Sequence, residues 1–435
     1  MSTCLHIIPP GPAEKYNSTQ DILSWMMDNF RQFGDIYKAS LYGADAYVVS
    51  DPGFVDHILR ANWQNYRKGQ ANKRVGFLLG NGLMVSEGEV WKTQRRMIQP
   101  AFHQEALGAL TTLILKCNDS LLAKWKEAAR NHDNVNVTRD VSLMVLEVVL
   151  RSIFGDDYEA IAEPFGVLSG ESARNLQFAQ TFRPLGDIVL RLVAERRHNC
   201  RACTDILGML MAVTDRTSGN GMSDRQLVSE IMTLIVAGHE TTASVLNWTW
   251  FLLSQHPEVA EKLAVELENP ANTACRLDDL ARFPYARQII EEAMRLYPPG
   301  WLMTRRALKD DRLGDFFVPA GTEIYISPYL IQRNPALWDD PDHFNPDRFE
   351  PDQSRHRHPM AMLPFSAGPR KCIGELFARI EMQLHLVTIA KQIRLRCTDA
   401  PTIELEAGVN LRNKNDFVMT PELQPAQRGH ASLGD

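Results

Sequence analysis

Apolar residues recur at helical spacing over residues 88 to 299, as in "DVSLMVLEVVLRSIFG" and "PEVAEKLAVELEN". Short strand-like runs occur near "DIYKASLYGADAYVVS" and again after residue 300. The pattern predicts a mainly α protein with small β-sheets. Its most apolar long segment, "IMTLIVAGHETTASVLNWTWFLL", is interrupted at the middle by His239, Glu240, Thr241 and Thr242. That disfavours a lipid-facing helix and predicts a buried core helix with a polar waist. The helix is expected to start at Ser223, where Ser223 and Gln226 match a capping box, and to end before Pro257. It would then span about 30 residues and ~45 Å, enough to cross a whole domain. No internal repeat or low-complexity linker divides the chain, so a single domain over 1–435 is expected, with the polar end from about 424 to 435 as a mobile tail.

Composition narrows the function. Of 435 residues, 44% are hydrophobic and 23% charged, ordinary values for a soluble protein with a sizeable core. A formal net charge of −6 argues against nucleic-acid binding as the main activity. The seven cysteines (Cys4, Cys117, Cys200, Cys203, Cys275, Cys372, Cys397) are odd in number and scattered, which fits a reducing cytoplasm and not a disulfide framework. The start "MSTCLHIIPPGP" carries neither a basic leader nor an apolar anchor, so no membrane anchor is expected.

The stretch "PFSAGPRKCIGELFARIEMQ" sets one cysteine between glycines, after a basic pair and before an amphipathic run of Ile373, Leu376, Phe377, Ile380, Leu384 and Val387. Gly368 and Gly374 permit tight turning and close approach to a flat group, Pro369 stiffens the loop, and Arg370 can neutralise an anion. At a helix N-terminus the macrodipole would stabilise a Cys372 thiolate. A buried structural thiol is the alternative. Phe365, Gly368, Arg370, Cys372 and Gly374 match F-x-x-G-x-R-x-C-x-G, which resembles the haem-ligand loop of the cytochrome P450 family.

The resemblance covers the chain from "IIPPGP" to "FVMTPE". It implies a single-domain fold with haem b between a long central helix and the cysteine-bearing loop and helix, the iron held by Cys372. It implies a structural Glu-Arg-Arg network of Glu292, Arg295 and Arg348, from "EEAMRLYPP" and "FNPDRFEP". Trp91 and Arg95, one helical turn apart, resemble the family's propionate-binding helix; Arg305, or Arg306 beside it, occupies another propionate position. Gln332 stands where many relatives have a histidine. In "AGHETT", Glu240 and Thr241 match the acid-alcohol pair that delivers protons for dioxygen cleavage, with space left by Ala237 and Gly238. The implied substrate pocket draws on Phe77, Leu78, Leu83, Met84, Phe178, Phe182, Ala237, Trp301, Leu302 and Met303, all apolar, which suits a fatty acid, terpenoid or steroid-like molecule.

"GNGLMV" lacks the third glycine of a dinucleotide fingerprint, so no flavin or nicotinamide module is evident, and a monooxygenase of this kind would draw its electrons from separate proteins. Lys371, Arg370, Arg379, Arg96, Arg355 and Arg357 would cluster near the cysteine side and favour an acidic ferredoxin or flavodoxin with its reductase. His239 reads as a packed or solvent-linked histidine, "CRAC" at 200–203 as two cysteines on one helix face, and "RHRHP" at 355–359 as a charged loop. A monooxygenase that hydroxylates or epoxidises its substrate is the reading. A peroxygenase, a haem-thiolate isomerase and a haem sensor are the alternatives; Glu240 and Thr241 argue against the first two.

Overall fold

The computed structural model describes residues 7–70, 80–166, 178–199, 204–268, 277–397 and 402–424. Its axis is the helix Asp224–Gln255, 32 residues long. Ser223 caps it as expected, accepting from the Gln226 amide at 3.3 Å, and Pro257 opens the next helix, Pro257–Glu268. The helix packs against Val137–Phe154, Phe178–His198, Pro284–Leu296 and Glu375–Ala390. Gly238 has a packing reason: a Cβ there would lie 3.2 Å from Val149 Cγ2, so the glycine lets the helix Val137–Phe154 come close. Beyond the polar waist, from Thr242 to Leu253, the helix is buried on every side. Trp248 stacks on Tyr297 at 3.7 Å, and Phe251 stacks on Phe417 at 4.9 Å.

A five-stranded sheet lies beside this helical core. Its order is Ile36–Leu41, Ala44–Val49, Glu323–Ile326, Met303–Ala307 and Tyr66–Lys68, all neighbours antiparallel except the second pair. The register sets Lys68 opposite Arg305, and Arg306 opposite Glu323. A three-stranded sheet joins Val135–Asn136, Val418–Leu423 and Ile393–Arg396. Two hairpins complete the strands, Asp311–Leu313 with Phe316–Val318 and Leu405–Ala407 with Leu411–Asn413. This is the mainly helical fold with small sheets that the hydrophobic pattern predicts. Among the described residues, no helix is long and apolar enough to cross a membrane. The tail expected from about 424 lies, from 425 onward, outside the described residues.

Candidate active site

Cys372 sits three residues before the helix Glu375–Ala390, whose N-cap is Gly374. Its amide donates to Phe365 O at 2.9 Å, closing the loop, and the Gly374 amide donates to its sulfur. The thiol is exposed by surface area yet crowded enough that burial pushes its pKa up, against the lowering effect of Gly374, Arg95 and Lys371. The Gly374 amide and the two cations act in the thiolate's favour, and burial acts against it.

The loop glycines play different parts. Gly368 has φ +72°, and a Cβ there would lie 1.9 Å from Leu59 O, so its freedom serves the turn and the contact with His57–Ala61. At Gly374 a Cβ would meet nothing nearer than Phe102 Cε1 at 3.9 Å. Phe365 carries the Arg379 guanidinium over its ring at 4.8 Å.

A buried cation cluster adjoins the loop. The side chain of Arg370 pairs with Glu87, donates to Ser86 O at 3.4 Å and lies 4.4 Å over the Trp91 ring, while its Nε is buried without a partner. Arg305 is 8% exposed and, among the described residues, donates to Thr304 O alone, at 2.9 Å; burial, with Arg370 nearby, lowers its pKa to about 10. Lys68 is its cross-strand partner. Lys68 Nζ donates to Leu83 O at 3.0 Å and to Met84 O, and burial with Arg370 lowers its pKa to about 7. Like charges placed opposite each other on a sheet repel. Among the described residues the one acid paired within the group is Glu87; Glu230, on the long helix, accepts from the Leu83 amide at 2.8 Å and is pushed up to about 7 by burial. The cluster therefore has the chemistry of an anion site, and more than one negative charge suits it.

Arg306 is taken by Glu323 at 3.7 Å, whereas Arg305 faces Arg370 and Glu87. Strand alternation thus separates the two candidates. Arg95 lies beside Cys372 and donates to Lys371 O at 2.8 Å. Trp91 is buried, edge-on to Trp63 at 5.9 Å. Lys68 and Glu87 are members of the cluster that sequence reasoning missed.

On the long helix, Thr241 Oγ1 donates to Ala237 O at 2.7 Å, and Glu240 Oε2 accepts from Asn410 Nδ2 at 3.0 Å. His239 points elsewhere, its Nε2 lying 3.0 Å from Ser142 O, and burial lowers its pKa. Of the expected pocket residues, Ala237, Met84, Leu302 and Met303 are half-buried. Leu83 packs into the main core and Trp301 into the cluster under the sheet, its indole donating to Gly408 O at 3.0 Å. Phe77 and Leu78 lie outside the described residues, and Phe178 and Phe182 fall on a helix whose first turns are described in backbone only.

Glu292, Arg295 and Arg348 do meet. Arg295 grips Glu292 with two bonds, 2.6 and 2.7 Å, and Arg348 Nε reaches the same carboxylate at 3.3 Å. The remaining Arg295 donors go to Gln332 O, Pro341 O and His343 O. Gln332 is buried, donating to Met294 O and Arg295 O and accepting from the Leu363 amide.

The expected basic face is largely paired. Arg96 binds Asp215, Arg355 binds Asp352, Lys371 binds Glu375, and Arg379 binds Glu291 and Glu375, while Arg357 lies over Trp338. "CRAC" at 200–203 lies outside the described residues. His358 caps the turn Pro359–Ala361, and among the described residues no group of three or more His, Cys, Asp or Glu side chains is placed to hold a metal.

The chain matches the sequence profile described as Cytochrome P450 over residues 10–166 and 168–419. It is similar to a cyclooctat-9-en-7-ol 5-monooxygenase of Streptomyces melanosporofaciens, 32% identical over 85% of this chain and 84% of the relative. A pentalenene oxygenase of Streptomyces avermitilis is 30% identical over 88% of each chain. The protein LUTEIN DEFICIENT 5 of Arabidopsis thaliana is 27% identical over 90% of this chain and 72% of that protein. The fold superposes on a crystal structure of the cytochrome P450DA heme domain with a TM-score of 0.84, at 24% identity over 96% of this chain and 98% of that one. Fold, loop and relatives agree: the chain belongs to the cytochrome P450 family, oxidoreductases that work as monooxygenases with a haem b held by a cysteine thiolate.

Proposed function

We propose that Cys372 is the axial thiolate of the haem and that Lys68, Arg305 and Arg370, with Arg95 and Trp91, receive its two carboxylates. The observation that carries this is the placement of Arg370, two residues before Cys372, inside a buried cation cluster with an unpartnered guanidinium nitrogen. A sulfur donor beside an under-neutralised cation group fits an iron porphyrin with two propionates, and a buried structural thiol would need no such cluster. When bound, the haem supplies dioxygen activation, with the thiolate pushing electron density toward O–O cleavage.

The chain's own residues supply protons, geometry and exclusion of water. Thr241 spends its only donor on Ala237 O, so its hydroxyl offers acceptor lone pairs that can hold a water in place. Glu240, half-buried on the same turn, carries the proton between solvent and that water. Ala237, Met84, Leu302 and Met303 offer an apolar wall for a lipophilic substrate. The class favoured is an unsaturated ring terpenoid, because two relatives are named for cyclooctat-9-en-7-ol and pentalenene. The chemical outcome is hydroxylation or epoxidation.

Electrons arrive from a ferredoxin or flavodoxin with its reductase. Arg96, Arg355 and Lys371 keep 45%, 68% and 48% of their side chains exposed, which suits an acidic partner, but each already faces a carboxylate, so the attraction is modest. The test is incubation of the haem-loaded enzyme with pentalenene, cyclooctat-9-en-7-ol and a medium-chain fatty acid, driven by NADPH through a surrogate ferredoxin and reductase under ¹⁸O₂. One ¹⁸O per product molecule from a ring terpenoid is expected. Product oxygen drawn from water, or conversion of the fatty acid alone, would contradict the mechanism and the substrate class respectively.

A further inference from the structure

The hairpin Leu405–Ala407/Leu411–Asn413 joins neither of the larger sheets, yet its turn is fixed from several sides. Ser244 Oγ, one turn after Glu240 on the long helix, donates to Leu411 O at 2.8 Å. The Leu411 amide donates to Pro299 O at 3.0 Å, and the Trp301 indole holds Gly408 O. The turn itself is closed by backbone, Gly408 N to Asn410 O at 3.3 Å, so the Asn410 side chain is not needed to form it. That side chain crosses 170 residues of sequence to donate to Glu240 Oε2 at 3.0 Å. It is the one hydrogen-bond donor to the Glu240 carboxylate among the described residues.

We infer that Asn410 is a positioning residue for proton delivery, holding the Glu240 carboxylate in one orientation from a turn that is itself pinned to the long helix. This rests on the reading of Glu240 as the proton relay. A relay must keep its carboxylate within hydrogen-bond reach of the group it serves, and a half-buried glutamate with a free carboxylate samples several rotamers. The amide removes that freedom without adding a charge. Ser244 and Trp301 keep the turn from drifting, so the constraint passes from the scaffold to the acid.

The test is a double-mutant cycle on the haem-loaded enzyme. Hydrogen peroxide released per NADPH consumed is measured with a surrogate ferredoxin and reductase, and the carbon monoxide stretch of the reduced CO complex reports the same surroundings without turnover. Asn410→Leu and the isosteric Asn410→Asp are expected to raise the peroxide share at least half as much as Glu240→Gln does and to broaden the CO band. Asn410→Gln, which keeps the donor, should stay nearer to wild type. Asn410→Leu added to Glu240→Gln should change nothing further, because the two act as a unit. If Glu240→Gln raises peroxide but Asn410→Leu and Asn410→Asp do not, or their effects add to it, the inference is overturned and the relay stands. If Glu240→Gln leaves the peroxide share unchanged, the relay itself fails, and the inference with it. A retained absorption spectrum and melting temperature in Asn410→Asp exclude misfolding as the cause.

Discussion

Two buried groups of charge in this protein follow opposite rules. Around Glu292 the acid binds both Arg295 and Arg348, and Arg295 spends its remaining donors on three carbonyls at 2.6–3.1 Å. Around Arg370 the cations outnumber the partnered acids: Lys68 stands across a sheet from Arg305, and one guanidinium nitrogen has no partner. A satisfied network holds a shape, because every removal leaves a buried charge short of a partner. A group left short of anions is costly to the fold alone, and its presence points to a ligand that offsets the cost.

Breaking the satisfied network should have the largest effect. Arg295→Leu takes from the buried Glu292 carboxylate its two-bonded partner, leaving Arg348 as its paired cation, and is expected to cost about 3–5 kcal/mol, read by denaturant unfolding of the haem-free chain. A loss under about 1 kcal/mol would remove its status as scaffold. Arg305→Leu should do the reverse: haem-free stability unchanged or improved, haem affinity down by roughly tenfold to hundredfold, as the loss of ~1.5–3 kcal/mol in charged hydrogen bonds implies. Transfer of haem to a competing acceptor protein measures this. A destabilised chain with unchanged affinity would place Arg305 in the scaffold. Between these regions, Gln332→Leu strands two carbonyls and the Leu363 amide and should cost about 1–3 kcal/mol, with Gln332→His recovering part of it.

A pH signature sharpens the contrast further. Lys68 has its pKa lowered to about 7 from 10.5, so between those values the unfolded chain binds the extra proton and haem-free stability rises with pH. Glu230 is raised to about 7 from 4.5, so between 4.5 and 7 the folded chain binds more protons and stability falls as pH rises. Lys68→Met should therefore abolish the rising limb and Glu230→Gln the falling one, in thermal melts across pH 4.5 to 10.5. Both limbs surviving both substitutions would contradict the assignment.

How much of this was legible in the sequence depended on distance along the chain. Glu292 and Arg295 are three apart on one helix, and the Ser223 cap lies three residues from Gln226, so local spacing reveals both. Choosing Arg305 over Arg306 needed the register of Met303–Ala307 against its neighbours, a long-range fact. Lys68 was hidden for the same reason, because only pairing with a strand some 240 residues later sets it beside Arg305. Asn410 had no local signal either, being a turn residue whose partner lies 170 positions earlier. Gly368 was visible as part of the motif, but its physical reason, the Leu59 carbonyl, was not.

The central claim is that Cys372 binds the haem iron through sulfur. The most direct measurement is the absorption spectrum of the haem-loaded, reduced protein under carbon monoxide, for the native chain and for Cys372→Ser. The native protein should show the strongly red-shifted band of sulfur-ligated iron, and the serine variant should lose it. A native spectrum without that band, or a serine variant that keeps it, would contradict the account.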